Sequence, residues 1–318
     1  MSEWTTIESD PSVFTELLQK IGTQGLEVAE LESLDELSLT SLGHTYGLIF
    51  LFKWDEKIER EIRASRSGFA TQANVYFAKQ VIQNACATQA IVNTLMNCRE
   101  DENGFRLGDE LSRLKEFTKD FDKESKGLAI SNSNVLRSVH NSFRPPSSHL
   151  LPDVKGSADG DAFHYIAYVP IHGNLYELDG LQDGPYLLSA CDAENWLYRA
   201  VGAIQERMAR YEGSEQRFSV QAIIRDRSVA IKQKMDSIQG EISTLERLEH
   251  QDIEVRKKLF ELQQSHAKLV ASLRDETEKK ERWKKENAMR RTDFTPFIFT
   301  ALTLMGQSNL LDQEALSG

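Results

Sequence analysis

Up to about residue 226 the chain alternates short apolar runs with amphipathic stretches. Beyond it, apolar residues recur only every third or fourth position among charges. Asp10-Pro11 ahead of a periodic apolar run, with Gly22 behind it, predicts a helix between them: Asp10 caps it, Pro11 takes the first helical position and Gly22 follows the last turn. "YGLIFLFKW" (46–54) is apolar, aromatic and of strand length. "FSVQAIIRD" (218–226) alternates as a strand does. "FHYIAYVPIHGNLYELDG" (163–180) reads as two strands around a turn. "LGDELSRLKEFTKDF" (107–121) and "SNSNVLRSVHNSF" (131–143) predict amphipathic helices. Between them and the strand pair lies "RPPSSHLLPDVKGSADGDA" (144–162), rich in Pro, Ser, Gly and Asp and without period. Connections of that length are uncommon unless functional.

The C-terminal third has a different grammar. Ile231, Met235, Ile238, Ile242 and Leu245 form one apolar series; Leu259, Leu262, His266, Leu269 and Leu273 form another. Both follow a 4,3 alternation, the seam of a coiled coil. The register breaks near "EHQD" (249–252), which predicts two helices folded back as an antiparallel hairpin. Residues 275–291 continue as a mixed-charge helix, and "FTPFIFTALTLMG" (294–306) as an apolar one. The expected organisation is a mixed α/β domain over 1–226 and a helical interaction domain over 227–318.

Composition narrows the function. The 318 residues, 40% hydrophobic, suffice for a sizeable domain and a smaller one. A net charge of −11 argues against a nucleic-acid surface and suits a basic protein partner. No apolar run approaches the roughly 20 residues that span a bilayer, so no membrane role is expected. "MSEWTTIESDPSVF" lacks the basic and apolar regions of a signal peptide. Three cysteines, without a CxxC pair, give neither a disulfide framework nor a zinc site. A reducing compartment, cytoplasm or nucleus, is therefore expected, with no cofactor.

One cysteine has a suggestive setting. In "KQVIQNACATQAIVNTLMN" (79–97), a helix-period run follows Asn84, which could cap it and place Cys86 in its first turn. A helix N-terminus favours the thiolate, the nucleophilic form, and its N–H groups can hold an oxyanion. Gln80 could add a side-chain donor. The plain alternative is a buried small hydrophobe. A nucleophilic Cys needs a base, and the base an orienting acceptor. His164 opens one strand of the pair, and Asp179 closes the next. A two- or four-residue connection with an odd pairing sum puts both on one face, and a turn centred between Ile171 and His172 would set them directly opposite. A three-residue loop would separate them. His172 reads as an exposed turn residue, His140 as structural and His266 as a seam residue. Cys98 and Cys191 have no evident base.

"FAKQVIQNACATQAIVNTLMN", "DAFHYIAYVPIHGNLYELDGL" and "ESDPSVFTELL" together resemble the ubiquitin C-terminal hydrolase family of cysteine proteases, and "VHNSF" with the helical tail resembles its proteasome-associated member. The resemblance covers essentially the whole chain. It implies an α/β, papain-like fold: a central antiparallel sheet flanked by helices, with a knotted chain path, plus a C-terminal α-helical extension. It implies Cys86 as nucleophile, His164 as general base and acid, Asp179 orienting the His, and Gln80 completing the oxyanion hole. It implies a segment over about 144–162 that crosses the active site. Ubiquitin's basic C-terminal tail is then expected to meet the acidic stretch 27–36, through Glu27, Glu30, Glu32, Asp35 or Glu36. The proteasome's ubiquitin-receptor subunit is the partner expected for the tail, although this chain stops at "LLDQEALSG", where that member usually continues in a Lys/Glu-rich segment. A catalytically silent ubiquitin-binding scaffold on the proteasome is the alternative function. A different Cys-His-Asp acyl-transfer enzyme fits less well with the Gln before the Cys and the long tail.

Overall fold

The structure is a computed structural model; it describes residues 4–66, 75–100, 104–144, 162–211, 217–247 and 253–307. Its centre is a six-stranded sheet of β1 (Leu26–Glu30), β2 (Thr45–Lys53), β3 (Phe163–Ile171), β4 (Asn174–Leu178), β5 (Tyr186–Ala190) and β6 (Phe218–Arg225), in the order β1-β6-β2-β3-β4-β5. Every neighbouring pair is antiparallel. This is the expected helix-flanked antiparallel sheet.

Strand alternation divides the core. In β2, Leu48, Phe50 and Phe52 face a layer formed by Trp196, Ala200 and Ile204 of α8 (Trp196–Ala209). Ile49 faces the other way, towards Phe14 and Leu17 of α1 (Pro11–Ile21) and Ile91 and Leu95 of α4 (Cys86–Asn97). A register shift between Thr45 and Gly47 brings Tyr46 to this second face as well. Each fully buried Leu, Ile or Phe contributes about 1.5–3 kcal/mol.

The local signals in α1 operate as the sequence predicts. The Asp10 side chain accepts from the Ser12 N–H, Pro11 opens the helix, and Gly22 closes it at φ 105°. Only a residue without Cβ takes that backbone conformation without strain. The helix expected over 131–143 is instead two. α6 (Lys123–Asn132) ends where Ser133 caps α7 (Asn134–Asn141), the hydroxyl accepting from the Leu136 N–H at 3.2 Å. Ser133 offers its own side chain as a helix start, which competes with continuation.

Beyond the sheet, α9 (Arg227–Arg247) and α10 (Ile253–Arg290) pack on each other, with Ile238 and Ile242 buried and the other seam residues half-buried. α10 extends further and lands on α1. There Asn287 donates to the Ser12 carbonyl and to Glu16 (3.0 and 2.8 Å), and Arg290 pairs with Asp10 at 2.7 Å. α11 (Thr295–Gln307) buries none of its residues; Phe297 is 71% and Phe299 64% exposed. No described helix is long and apolar enough to cross a membrane.

Candidate active site

The β3–β4 connection is the two-residue turn His172-Gly173, both at positive φ (49° and 79°). That geometry matches the twist of the flanking strands. His172 is exposed, as expected. Ile171 pairs with Asn174 and Ala167 with Leu178. Continued by one residue, this register sets Asp179 opposite Ile166. Asp179 and His164 therefore share a face but sit diagonally, because the turn falls one residue later than direct opposition requires.

The diagonal is short enough. His164 Nε2 donates to Asp179 Oδ1 at 2.6 Å, and both side chains are buried. The Leu181 N–H also donates to Oδ1 (3.0 Å), and Gln182 Nε2 to Oδ2 (3.1 Å). Phe52 and Trp54 meet the imidazole nearly perpendicularly, at 5.8 and 5.3 Å. Burial opposes a charged imidazole, but the Asp179 carboxylate and a hydrogen bond with Cys86 outweigh it and raise His164 to about 9. Burial would likewise push Asp179 up, yet the His164 charge and hydrogen bond hold it well below the usual carboxylate range.

Cys86 is the first residue of α4 and partly exposed. The cap differs from expectation. Asn84 adopts a left-handed conformation (φ 64°), donates through Nδ2 to the Trp4 carbonyl at 3.2 Å, and lies one residue before the N-cap position. Ala85 takes the N-cap position and has no side chain to offer, leaving the dipole end at Cys86 without a side-chain acceptor from the cap.

Gln80 belongs to an extended segment laced to α4. Gln89, Asn93 and Asn97 recur every fourth residue on that helix. Asn93 bonds both the N–H and the carbonyl of Ala78 (2.9 and 3.1 Å), Gln89 the same carbonyl (2.7 Å), and Asn97 both backbone groups of Tyr76 (2.8 Å each). The Gln80 N–H then donates to the Gly180 carbonyl at 2.8 Å, beside Asp179. A Cβ at Gly180 would lie 3.0 Å from that of Gln80, and one at Gly127 only 2.0 Å from the Lys79 carbonyl oxygen. Close backbone approach thus keys the Gln80 segment to α6 and to the turn that carries Asp179, while the amides of α4 tie it to the Cys86 helix. Gln80 Nε2 donates to the Ile82 carbonyl at 3.1 Å.

The ubiquitin carboxyl-terminal hydrolase family 1 model matches residues 4–209, and a second model described as ubiquitin carboxyl-terminal hydrolases matches 266–311. The chain belongs to the ubiquitin C-terminal hydrolase family. It is 38% identical to ubiquitin carboxyl-terminal hydrolase isozyme L5 of Dictyostelium discoideum, over 97% of this chain and 93% of that protein. Ubiquitin carboxyl-terminal hydrolase ubh-4 of Caenorhabditis elegans is 37% identical over 97% and 89%. Among solved structures it is similar to Trichinella spiralis UCH37 bound to ubiquitin vinyl methyl ester, with TM-score 0.66, 35% identity, and 89% of this chain and all of that one covered. The family makes this chain a cysteine-type deubiquitinating enzyme.

The hydrolase's acidic stretch divides into one buried and four exposed acids. Glu27 lies in β1 and is wholly buried beneath the tail, with Lys279, Lys280 and Arg227 at 3.5, 3.6 and 3.7 Å. It therefore cannot meet ubiquitin. Glu30, Glu32, Asp35 and Glu36 are exposed; Asp35 caps α2 (Glu36–Ser41), accepting from the Ser38 N–H at 2.7 Å. Residues 145–161 of the expected crossing segment lie outside the described residues.

The other thiols and imidazoles have different settings. Burial drives the Cys98 thiol up to about 12 and raises that of Cys191. His140 is buried between the Thr88 hydroxyl and the Thr5 carbonyl (2.8 and 2.6 Å), where burial lowers it to about 4. His266 is half-buried on α10. Sequence reasoning missed the amides of Gln89, Asn93 and Asn97, although their four-residue spacing within an apolar helix was visible. It also missed Gln182 and a buried charge cluster behind Asp179.

Proposed function

We propose that this enzyme cleaves bonds to the C-terminal glycine of ubiquitin with Cys86 as nucleophile. The observation that carries the assignment is a single imidazole, His164, hydrogen-bonded to Asp179 at 2.6 Å and close enough to Cys86 to feel its thiol. Asp179 fixes the ring and stabilises the protonated form it takes on accepting the Cys86 thiol proton. Cys86 Sγ attacks the glycine carbonyl carbon, and the carbonyl π electrons move onto oxygen. That oxyanion is held by the Cys86 N–H and by the amide hydrogen of Gln80 not given to Ile82. When the intermediate collapses, the C–N bond breaks and His164 gives its proton to the leaving amine. His164, now neutral, takes a proton from water, and the hydroxide displaces Cys86 from the thioester. The first test is a fluorogenic ubiquitin C-terminal amide, which the full chain should turn over. Ubiquitin binding without fluorophore release would favour a silent scaffold.

Ubiquitin's basic tail is proposed to meet Glu30, Glu32, Asp35 or Glu36. Glu30→Lys combined with Glu32→Lys should raise KM roughly tenfold at low salt and less at high salt. An unchanged KM at low salt would remove the contact. The tail is proposed to dock on the proteasome's ubiquitin-receptor subunit, supported by the exposed apolar residues of α11. Titration with that purified subunit tests this, and absence of binding rejects it. The thiol chemistry fits a cytoplasmic and nuclear enzyme, checked by imaging the tagged chain.

A further inference from the structure

Behind Asp179 lies a set of charges that the mechanism above does not use. Glu177 precedes Asp179 by two residues and shares its face. Arg66, just past α3 (Glu56–Ser65), grips both Glu177 oxygens at 2.7 and 2.8 Å. Arg207 of α8 donates to Glu177 at 3.1 Å and to Glu59 of α3 at 2.5 Å. Tyr211 donates its hydroxyl to the other Glu59 oxygen at 2.7 Å. Glu59, Glu177 and Arg207 are each less than 5% exposed. The Arg207 guanidinium covers the Phe52 ring at 4.7 Å, and the same ring meets His164. The charges of Glu59, Glu177 and Arg207 all act on Asp179.

We infer that this buried cluster is a positioning device that holds the second proton on His164. Two arginines, Arg66 and Arg207, face three carboxylates, Glu59, Glu177 and Asp179. The group is one positive charge short, and the imidazolium supplies it. Uncompensated charge is costly in a desolvated site, so the cluster favours the protonated ring. The protonated ring is the form that gives its proton to the leaving amine. The groups facing His164 itself are Asp179 from the turn after β4 and Cys86 from α4; Phe52 and Trp54 on its flanks carry no charge. Tyr168 is buried near Glu177 and both arginines, where its phenol stays neutral.

The inference rests on His164 acting as the base. A purely structural network would also lower activity when cut, but it would not move the enzyme's titration in a direction set by the sign of the charge removed. The test is kcat/KM for the fluorogenic ubiquitin amide against pH, comparing the wild type with Glu177→Gln and Arg66→Met. Glu177→Gln removes the unbalanced negative charge, so the alkaline limb should move down by about one pH unit. Arg66→Met deepens the imbalance and should move it up. Glu59→Gln, which keeps the approach of Tyr211, should move it down as well, and Arg66→Gln, which removes the same charge but keeps an amide donor for Glu177, stands in if Arg66→Met fails to fold. A limb that stays in place, or moves the same way for both charge signs, overturns the inference. His164→Asn separates the two claims. If it keeps wild-type turnover, the base assignment falls. If it is inactive while Glu177→Gln leaves the limb unmoved, only the cluster's role falls.

Discussion

Cys86→Ala is expected to lose on the order of 10⁴-fold or more in kcat/KM, the scale on which removing a nucleophile from a working set acts. The physical reason is that no other described thiol can replace it. Cys98 donates to the Thr94 carbonyl at 3.3 Å, and burial keeps it protonated. Cys191 lies just beyond β5, past the β3–β4 turn end of the sheet, and its backbone N–H bonds Gly173. Alanine suits the first position of a helix and removes only one sulfur from a partly exposed site, so folding and ubiquitin binding should survive. Turnover of the ubiquitin amide beside a calorimetric ubiquitin titration checks both halves. Cys98→Ala in the same assay should keep near-wild-type turnover.

Arg207→Ala is expected to cost about 3–5 kcal/mol of stability, the usual effect of cutting a buried ion pair from one side. Glu59 and Glu177 would each lose a charged donor inside the core, and the Phe52 ring would lose its cover. A urea midpoint unchanged by the substitution would contradict this account of the cluster. Exposed pairs such as Arg60–Glu56, with both side chains largely in solvent, should show little effect, because water and salt screen them.

Much of the candidate site was legible because its signals are local. Cys86 in the first turn of α4 and the strand pair that carries His164 and Asp179 follow from short-range periodicity, while the turn length, and with it their shared face, stayed open until the two-residue turn His172-Gly173 settled it. The seams of α9 and α10 are read the same way. What escaped has a common cause: it depends on residues far apart in the chain. Glu27 looked like one more exposed acid because nothing within ten residues shows that Lys279 and Lys280 will cover it. Arg66, Glu177 and Arg207 are each unremarkable alone, and only the packing of α8 on the sheet makes them one group. Asn84 is the opposite case. It has the composition of a cap, but the helix begins one residue later than expected, so Ala85 takes the cap position.

The helical tail bears on the enzyme through contacts at the root of the sheet rather than at the reactive thiol. α10 reaches α1 through Asn287, Arg290 and Arg291, and β1 through the cations around Glu27. α1 and β1 in turn pack against each other within the catalytic half. The tail is therefore joined to the catalytic half by buried polar contacts, while α11 remains uncovered.

The central claim is that one thiol, at the start of α4 and beside His164, carries the reaction. The most direct measurement is to treat the full chain with a ubiquitin vinyl-type probe and map the adduct by mass spectrometry. The account predicts a single ubiquitin adduct on Cys86, absent from Cys86→Ala. An adduct on Cys98 or Cys191, or no adduct from a chain that binds ubiquitin, would contradict it.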